Sequence, residues 1–530
     1  MNKLVKMTAM IAVAATLLAG CGDDDDTTKT PAAPTIEMVG ANIDDVHEIT
    51  EQMSVKVAVA SEVGIGRFDI TIESPMLTNE FLTGVGLAAQ MELVSASGSM
   101  ASRLKEFGFP VGNEVKDAKT LSFDISTLVP LIAELGKKTS NHNFVLKVTD
   151  TKGQSTTKTL KFHLTGTSSV VYNNDADLWA NTATLTVSLA EAAQNPVLEY
   201  RKKGETEWQQ TPPLVAAQDG SYTATIAPVW ESSKNAAELD IYTVKAGTGV
   251  VAAATYECRV KEGENVLAQS QFTTAEGDKI PNGDMSGWSK KQMTTDGETF
   301  FPITYPNAEG DSNWDSGNNM FLENPNSSQP YTPLCEEDKT EPGTANLSAR
   351  MVMSVVFAPG NMFTGDFVYS GFSGTVNFGK PYDWKARPAG MKVRYKAKVG
   401  TIDKLGSYDP DKDKYKDQPD RARIFVAVVD WSTQHGVTSG LGAPSGMWDP
   451  ATASSLEEGA ILGYGDLVIT ESADDWTEVT LPINWYAKDA AKPGADKFSL
   501  VISCATSMRG DYLTGCSTNV MQVDDFEWVY

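Results

Sequence analysis

Three tryptophans stand where a side chain could meet a ligand. Trp314, Trp384 and Trp448 each lie in a segment rich in Gly, Pro, Asp and Asn, the composition of loops. Polar residues accompany each one: Asp315, Asn318 and Asn319 beside the first, Asp383 and Arg387 around the second, Asp449 beside the third. A flat aromatic face covers the C–H face of a sugar ring, and amide, carboxylate or guanidinium groups satisfy its hydroxyls. These residue types could therefore hold a saccharide. The same tryptophans could instead anchor loops by packing. Trp476 and Trp528 fall in alternating strand patterns and are expected in the core.

Catalytic chemistry is less marked. Glycoside hydrolysis needs two carboxylates at a set separation, and among 69 acidic residues nothing singles out such a pair. His435 is the single histidine after residue 275, so a His-dependent triad has little to draw on. No Gly-x-Ser-x-Gly elbow or Gly-rich phosphate loop occurs. Asp409, Asp411, Asp413, Asp417 and Asp420 fall at EF-hand spacing, but Lys414 stands where that loop turns on Gly and Lys416 replaces its apolar anchor. A solvated charged loop is the expected reading. Arg509-Gly510-Asp511 spells an integrin tripeptide, a match short enough to arise by chance.

The elements around these residues read as strands. In residues 35–166, Val55/Val57/Val59 and Phe68/Ile70/Ile72 alternate with period two. Phe144/Leu146/Val148 and Leu160/Phe162/Leu164 alternate on either side of Asp150-Thr151-Lys152-Gly153, which predicts a hairpin. A short helix is expected around 126–135. This segment resembles bacterial immunoglobulin-like modules. In residues 167–275, Leu185/Val187/Leu189 alternate, and the order of strand and turn signals through Trp208, Tyr222 and Tyr242 resembles a fibronectin type III sandwich. Residues 276–530 carry recurrent strand signals with no long amphipathic helix, which predicts a β jelly roll with large loops.

That last region carries a family resemblance. It opens with Ile280-Pro281-Asn282-Gly283-Asp284-Met285-Ser286-Gly287-Trp288 and continues through Trp314-Asp315-Ser316-Gly317-Asn318-Asn319 and Phe357-Ala358-Pro359-Gly360-Asn361-Met362-Phe363-Thr364-Gly365-Asp366-Phe367. Asn377-Phe378-Gly379-Lys380-Pro381, Arg387-Pro388, Gly510-Asp511-Tyr512 and Val523-Asp524-Asp525-Phe526-Glu527 follow in order. This resembles the putative carbohydrate metabolism domain family over about half of the chain. The resemblance implies a galactose-binding-like jelly roll and a glycan-related role, and leaves catalysis and substrate open. The expected fold is thus all-β, with two immunoglobulin- or fibronectin-like sandwiches before the jelly roll. The opening and closing motifs also resemble the paired first and last strands of carbohydrate-binding jelly rolls. By that resemblance Asp284, Asp524 and Asp525 are candidates for a structural Ca²⁺, with turn hydrogen bonding as the alternative.

The N-terminus reads as an export signal. Lys3 and Lys6 precede an apolar stretch from Met7 to Ala19, too short to span a bilayer. It ends in Leu18-Ala19-Gly20-Cys21, which resembles a bacterial lipobox and makes residues 1–20 a signal peptide with Cys21 as the acylated residue. Residues 21–34 form an acidic linker, and Asp23–Asp26 resembles a surface-export signal of glycan-degrading gut anaerobes. An outer-membrane lipoprotein facing the exterior is expected, with a poly- or oligosaccharide and other glycan-utilisation proteins as partners. The net charge of −25 speaks against nucleic acid. Of the remaining cysteines, Cys504 and Cys516 are close enough in sequence to form a disulfide, with free buried thiols as the alternative.

Overall fold

The computed structural model describes residues 30–50, 53–293, 300–319, 333–352, 356–370 and 373–530. The expected signal peptide, Cys21 and the Asp23–Asp26 run lie outside the described residues. The fold is all-β, built of paired sheets, and the chain forms two compact units divided between Thr167 and Ser168.

In the first unit, a three-stranded sheet (Thr35–Met38, Lys56–Ala60, Thr120–Asp124) accompanies a five-stranded one around one core. The predicted hairpin is present: Ser140–Asp150 pairs with Ser155–Leu164. Its turn is held by Asp150, whose Oδ1 accepts from the backbone N–H of Lys152 and Gln154, while Gly153 takes φ +89°, open to a residue without a Cβ. Phe144, Leu146 and Val148 are buried on one face, as the alternation requires. The helix is shorter than expected, Pro130–Leu135, with Pro at its first turn.

In the second unit, the fibronectin-like part has two sheets, of three and four strands, around Leu185, Leu198, Tyr200, Tyr222 and Tyr256. The jelly roll packs a five-stranded sheet (Cys335–Glu337, Ala345–Ser348, Val520–Val529, Gly390–Lys398, Ala473–Pro482) against an eleven-stranded one. Ile424, Val426 and Val428 point into this sandwich with Leu500, Ile502, Met521 and Val523. Phe425, Ala427 and Val429 point to the opposite face, into a second cluster with Phe363, Phe367, Phe378 and Trp431. The strand Ala422–Trp431 is therefore buried on both faces, which is why Ile424–Val429 reads as continuous apolar sequence instead of alternating.

The expected boundary near 276 lies inside this unit. The hairpin Trp230–Lys234/Asp240–Val244 adds to the edge of the eleven-stranded sheet through Tyr242 and Trp485. Trp179 belongs to the jelly-roll core, 5.9 Å from Trp384 and 5.6 Å from Trp485 between ring centroids.

Candidate functional site

The structure corrects most of the tryptophan platforms. Trp314 and Trp384 are fully buried. Trp314 donates from Nε1 to the Pro281 carbonyl at 2.6 Å and packs 5.3 Å from Phe526. Trp384 donates to Ser499 Oγ at 2.9 Å and packs between Tyr382, Trp179 and Trp528. Trp384 does lie in a loop, but Trp314 sits in a short strand, Trp314–Asp315, paired with Phe363 and Thr364, and both rings turn inward into the close-packed core. Asn318 is buried too: its Oδ1 accepts from the N–H groups of Leu334 and Cys335, and its Nδ2 donates to the carbonyls of Thr304 and Cys335. Arg387 is buried against three tryptophan faces. Asp383 is exposed. Trp448 is half-buried, edge-on to Phe425, Phe378, Trp431 and His435, and caps the outer aromatic cluster.

Asp315 and Asn319 have a different use. Both grip the backbone of Phe367 in the strand Asn361–Ser370. Asp315 Oδ2 accepts from the Phe367 N–H at 2.8 Å, and Asn319 Nδ2 donates to the Phe367 carbonyl at 3.3 Å. The Gly317 N–H donates to Asn361 Oδ1 at 2.9 Å. The Trp314–Asn319 motif thus pins one strand at two points instead of presenting side chains to solvent. Asp315 gives up hydration to do so: burial, with Asp366 nearby, raises its carboxyl to about 6. Asp366 is itself held by Lys380 Nζ at 2.8 Å and Gln434 Nε2 at 2.7 Å.

The pinned strand floors a cleft. Phe367, Tyr369, Val376 and Val437 line it, with Asn361, Ser439 and Asp511 as polar groups and Pro359 and Leu513 as walls. Its volume is about 90 Å³, enough for part of a ligand. Asp511 comes from the one-turn helix Gly510–Tyr512. Solvent reaches its side chain, yet the surrounding protein strips enough hydration to raise the carboxyl to about 6. Arg423 pulls the other way, but its guanidinium is already committed to Asp466 (2.7 Å) and Asp449 (2.8 Å). A carboxylate beside aromatic and aliphatic surface can accept ligand hydroxyls while the rings cover C–H groups. Among the described residues that line the cleft, Asp511 is the single carboxylate. Sequence reasoning placed Phe367 and Asp511 within family motifs and gave them no role. The alternation of Phe367 with Tyr369 was the available signal.

The carboxylates read as calcium candidates have other partners here, and the disulfide reading is corrected. A β-bulge in Val520–Val529, with Asp525 at φ +54°, turns Asp524 and Asp525 toward the same partner, Arg394. Arg394 contacts Asp524 Oδ2 at 2.6 Å and Asp525 Oδ2 at 2.9 Å, so a fixed cation already fills that role. Asp284 is exposed and accepts from Ser286. Among the described residues, no group of three His, Cys, Asp or Glu is arranged for a metal. Of the EF-hand-spaced carboxylates, Asp409 pairs with Arg509, and Asp420 is buried under Ser507, Cys516 N–H and Asn519. Cys504 and Cys516 are free, buried thiols.

Residues 289–529 match the family described as "Putative carbohydrate metabolism domain". This region of the chain belongs to that family. No curated protein matches the chain. Solved structures overlap it at low identity. A protein from Bacteroides vulgatus described as a putative glycoside hydrolase is 16% identical, covering 46% of this chain and 95% of its own, with TM-score 0.31. One from Bacteroides thetaiotaomicron, described likewise, is 15% identical, covering 64% and 98%, with TM-score 0.32. SGBP-B from the Bacteroides ovatus mixed-linkage glucan utilization locus, in complex with a mixed-linkage heptasaccharide, is 11% identical over 91% of this chain and all of its own, with TM-score 0.13. These overlaps carry no functional weight. The carbohydrate-metabolism domain carries the cleft.

Proposed function

We propose that the carbohydrate-metabolism domain binds a poly- or oligosaccharide at the Phe367–Tyr369–Asp511 cleft without cleaving it. The carrying observation is the pairing of an aromatic floor with one solvent-reachable carboxylate. Two-carboxylate glycoside hydrolysis needs an acid and a base or nucleophile flanking one bond, and a cleft whose described lining carries one carboxylate favours holding over cutting. In this reading the chain is a lipoprotein anchored through Cys21 in the outer membrane and facing the exterior. It captures glycan for uptake, alongside other glycan-utilisation proteins. The lipobox-like Leu18-Ala19-Gly20-Cys21 and the acidic run behind it support that placement.

The test is binding of the acylation-free mature chain to a broad glycan array, followed by Asp511→Asn and Tyr369→Ala on any hit. Both variants should lose affinity roughly tenfold or more, as expected when a charged hydrogen-bond acceptor or an aromatic contact is removed. A parent chain that binds nothing on the array defeats the proposal. Release of shortened products from a bound glycan would replace binding with catalysis.

A further inference from the structure

Two glycines shape the cleft beside Asp511. The ring of Phe367 lies across the neighbouring strand, Ser373–Phe378, close against Gly374. A Cβ on Gly374 would stand 2.5 Å from the ring's Cζ and 2.8 Å from its Cε2. Gly510 opens the one-turn helix Gly510–Tyr512, and a Cβ there would stand 2.4 Å from Pro359 Cγ. Neither ring can swing aside as a flexible chain end would. Glycine at both positions is what lets the aromatic floor and the Asp511 wall close to their observed spacing.

Asp511 stands in this cleft without a counter-charge. Among the described residues, no hydrogen bond or ion pair reaches its carboxyl. Arg423 acts on it through its field alone, because its guanidinium is bound to Asp466 and Asp449. Arg509, two residues before it, is bound to Asp409 and lies over the rings of Tyr415 (4.6 Å) and Tyr512 (4.8 Å). The described lining of the cleft holds no Lys, Arg or His. A carboxylate that has given up hydration is normally paired with a cation. Asp511 has none from the protein, and solvent reaches its side chain.

The rest of the lining fits the same missing group. An ammonium is drawn to the face of an aromatic ring within about 6 Å, and Tyr369 supplies a half-buried ring beside the carboxylate. Val376, Val437 and Leu513 supply apolar surface for C–H groups, and Ser439 a hydroxyl. A neutral sugar hydroxyl would give Asp511 a hydrogen bond. An ammonium gives it a hydrogen bond and a charge, the stronger contact. The volume of about 90 Å³ suits an amino group with the adjoining part of its ring.

We infer that the cleft selects an amino sugar carrying a free ammonium group, with the ammonium at Asp511 and against the Tyr369 ring. The inference rests on the cleft being the glycan site, and it narrows the ligand from any hydroxylated ring to the hexosamine class.

The experiment is calorimetric titration of the full mature chain with oligomers of glucosamine, N-acetylglucosamine and glucose, matched in linkage and length. Slightly below neutrality the sugar amine and the Asp511 carboxyl are both charged. Salt at about 0.15 M screens long-range attraction to a chain of net charge −25. The glucosamine oligomer should bind about tenfold more tightly than either other oligomer, or better. Asp511→Asn should erase that preference. Asp474→Asn, which removes an exposed charge from the strand Ala473–Pro482, should keep it. Methylammonium, the charge without the ring, should bind at least about tenfold more weakly than the glucosamine oligomer. The inference is overturned by a glucosamine oligomer that binds no better than the others. It is overturned equally by a preference that survives Asp511→Asn or is lost in Asp474→Asn, or by methylammonium binding as tightly. Neutral oligomers or another array glycan that bind comparably and are lost in Tyr369→Ala would uphold the cleft and sink the amino-sugar assignment alone.

Discussion

Replacing Asp315 with Asn isolates what it takes to pin the strand beneath the cleft. In the unfolded chain Asp315 titrates near 3.8; folded, burial lifts it to about 6. Between those values the folded state holds more protons than the unfolded state, so stability falls as pH rises. Below the lower value both states are protonated, and above the upper value both are ionised, so the curve flattens at each end. A pKa difference of about 2 corresponds to about 3 kcal/mol lost across that interval. Asn cannot ionise, so Asp315→Asn removes the slope. It also turns an NH₂ toward either the Phe367 or the Ser316 N–H, leaving one donor unsatisfied at a cost of about 1–3 kcal/mol. The variant should therefore be the less stable protein at about pH 4 and should match or overtake the parent by about pH 7. Urea unfolding followed by tryptophan fluorescence reads this directly, because all 11 tryptophans lie beyond residue 168 and report on the second unit alone. The raised carboxyl of Asp511 contributes the same sign to both proteins and cancels in the difference. Parallel stability curves for parent and variant from about pH 4 to about pH 7 would refute the burial argument.

Arg394→Ala should destabilise the second unit by about 2 kcal/mol in the same assay. That is less than the roughly 3–5 kcal/mol of a fully buried pair, because the Arg394 side chain is 36% exposed while that of Asp524 is 5% exposed; a change near zero would show that Asp524 does not depend on it. Calcium or a chelator should leave the parent melting temperature unchanged, and a calcium-dependent rise would restore a metal site at Asp524 and Asp525. Cys258, Cys335 and Cys504, whose thiols burial pushes up, should resist alkylation in the folded protein and react once it is unfolded. Trp384→Ala should cost about 3–5 kcal/mol as a core truncation, whereas half-buried Trp448→Ala should cost clearly less; equal losses would contradict the burial contrast.

The architecture was legible because strands announce themselves through period two and turns through Asp and Gly, as at Phe144–Val148 and Gly153. The strand Ile424–Val429 was legible as a strand, while its burial on both faces needed the second cluster around Phe425 and Trp431. The site was less legible. Composition puts Trp314 and Trp384 in loops, but it does not say whether a ring turns toward solvent or core, and both turn inward. Asp315 and Asn319 were singled out by their types, yet they act on the backbone of Phe367, a partner about fifty residues away that no local pattern reveals. Asp524 and Asp525 were read as a cation site; the cation is Arg394, brought opposite them by strand pairing and a bulge. Arg387 was expected beside a ligand-facing Trp384, and instead sits among Trp179, Trp230 and Trp485 from distant parts of the chain.

The measurement closest to the central claim is equilibrium binding of an array-identified glycan to the parent chain and to Asp511→Asn, taken across pH. Asp511 accepts hydroxyls best when ionised, so parent affinity should hold near neutrality and fall as pH drops through about 6. The variant should bind roughly tenfold more weakly near neutrality, with that pH dependence gone. A variant that binds as tightly as the parent, with the same pH profile, would contradict the assignment of the cleft as the glycan site.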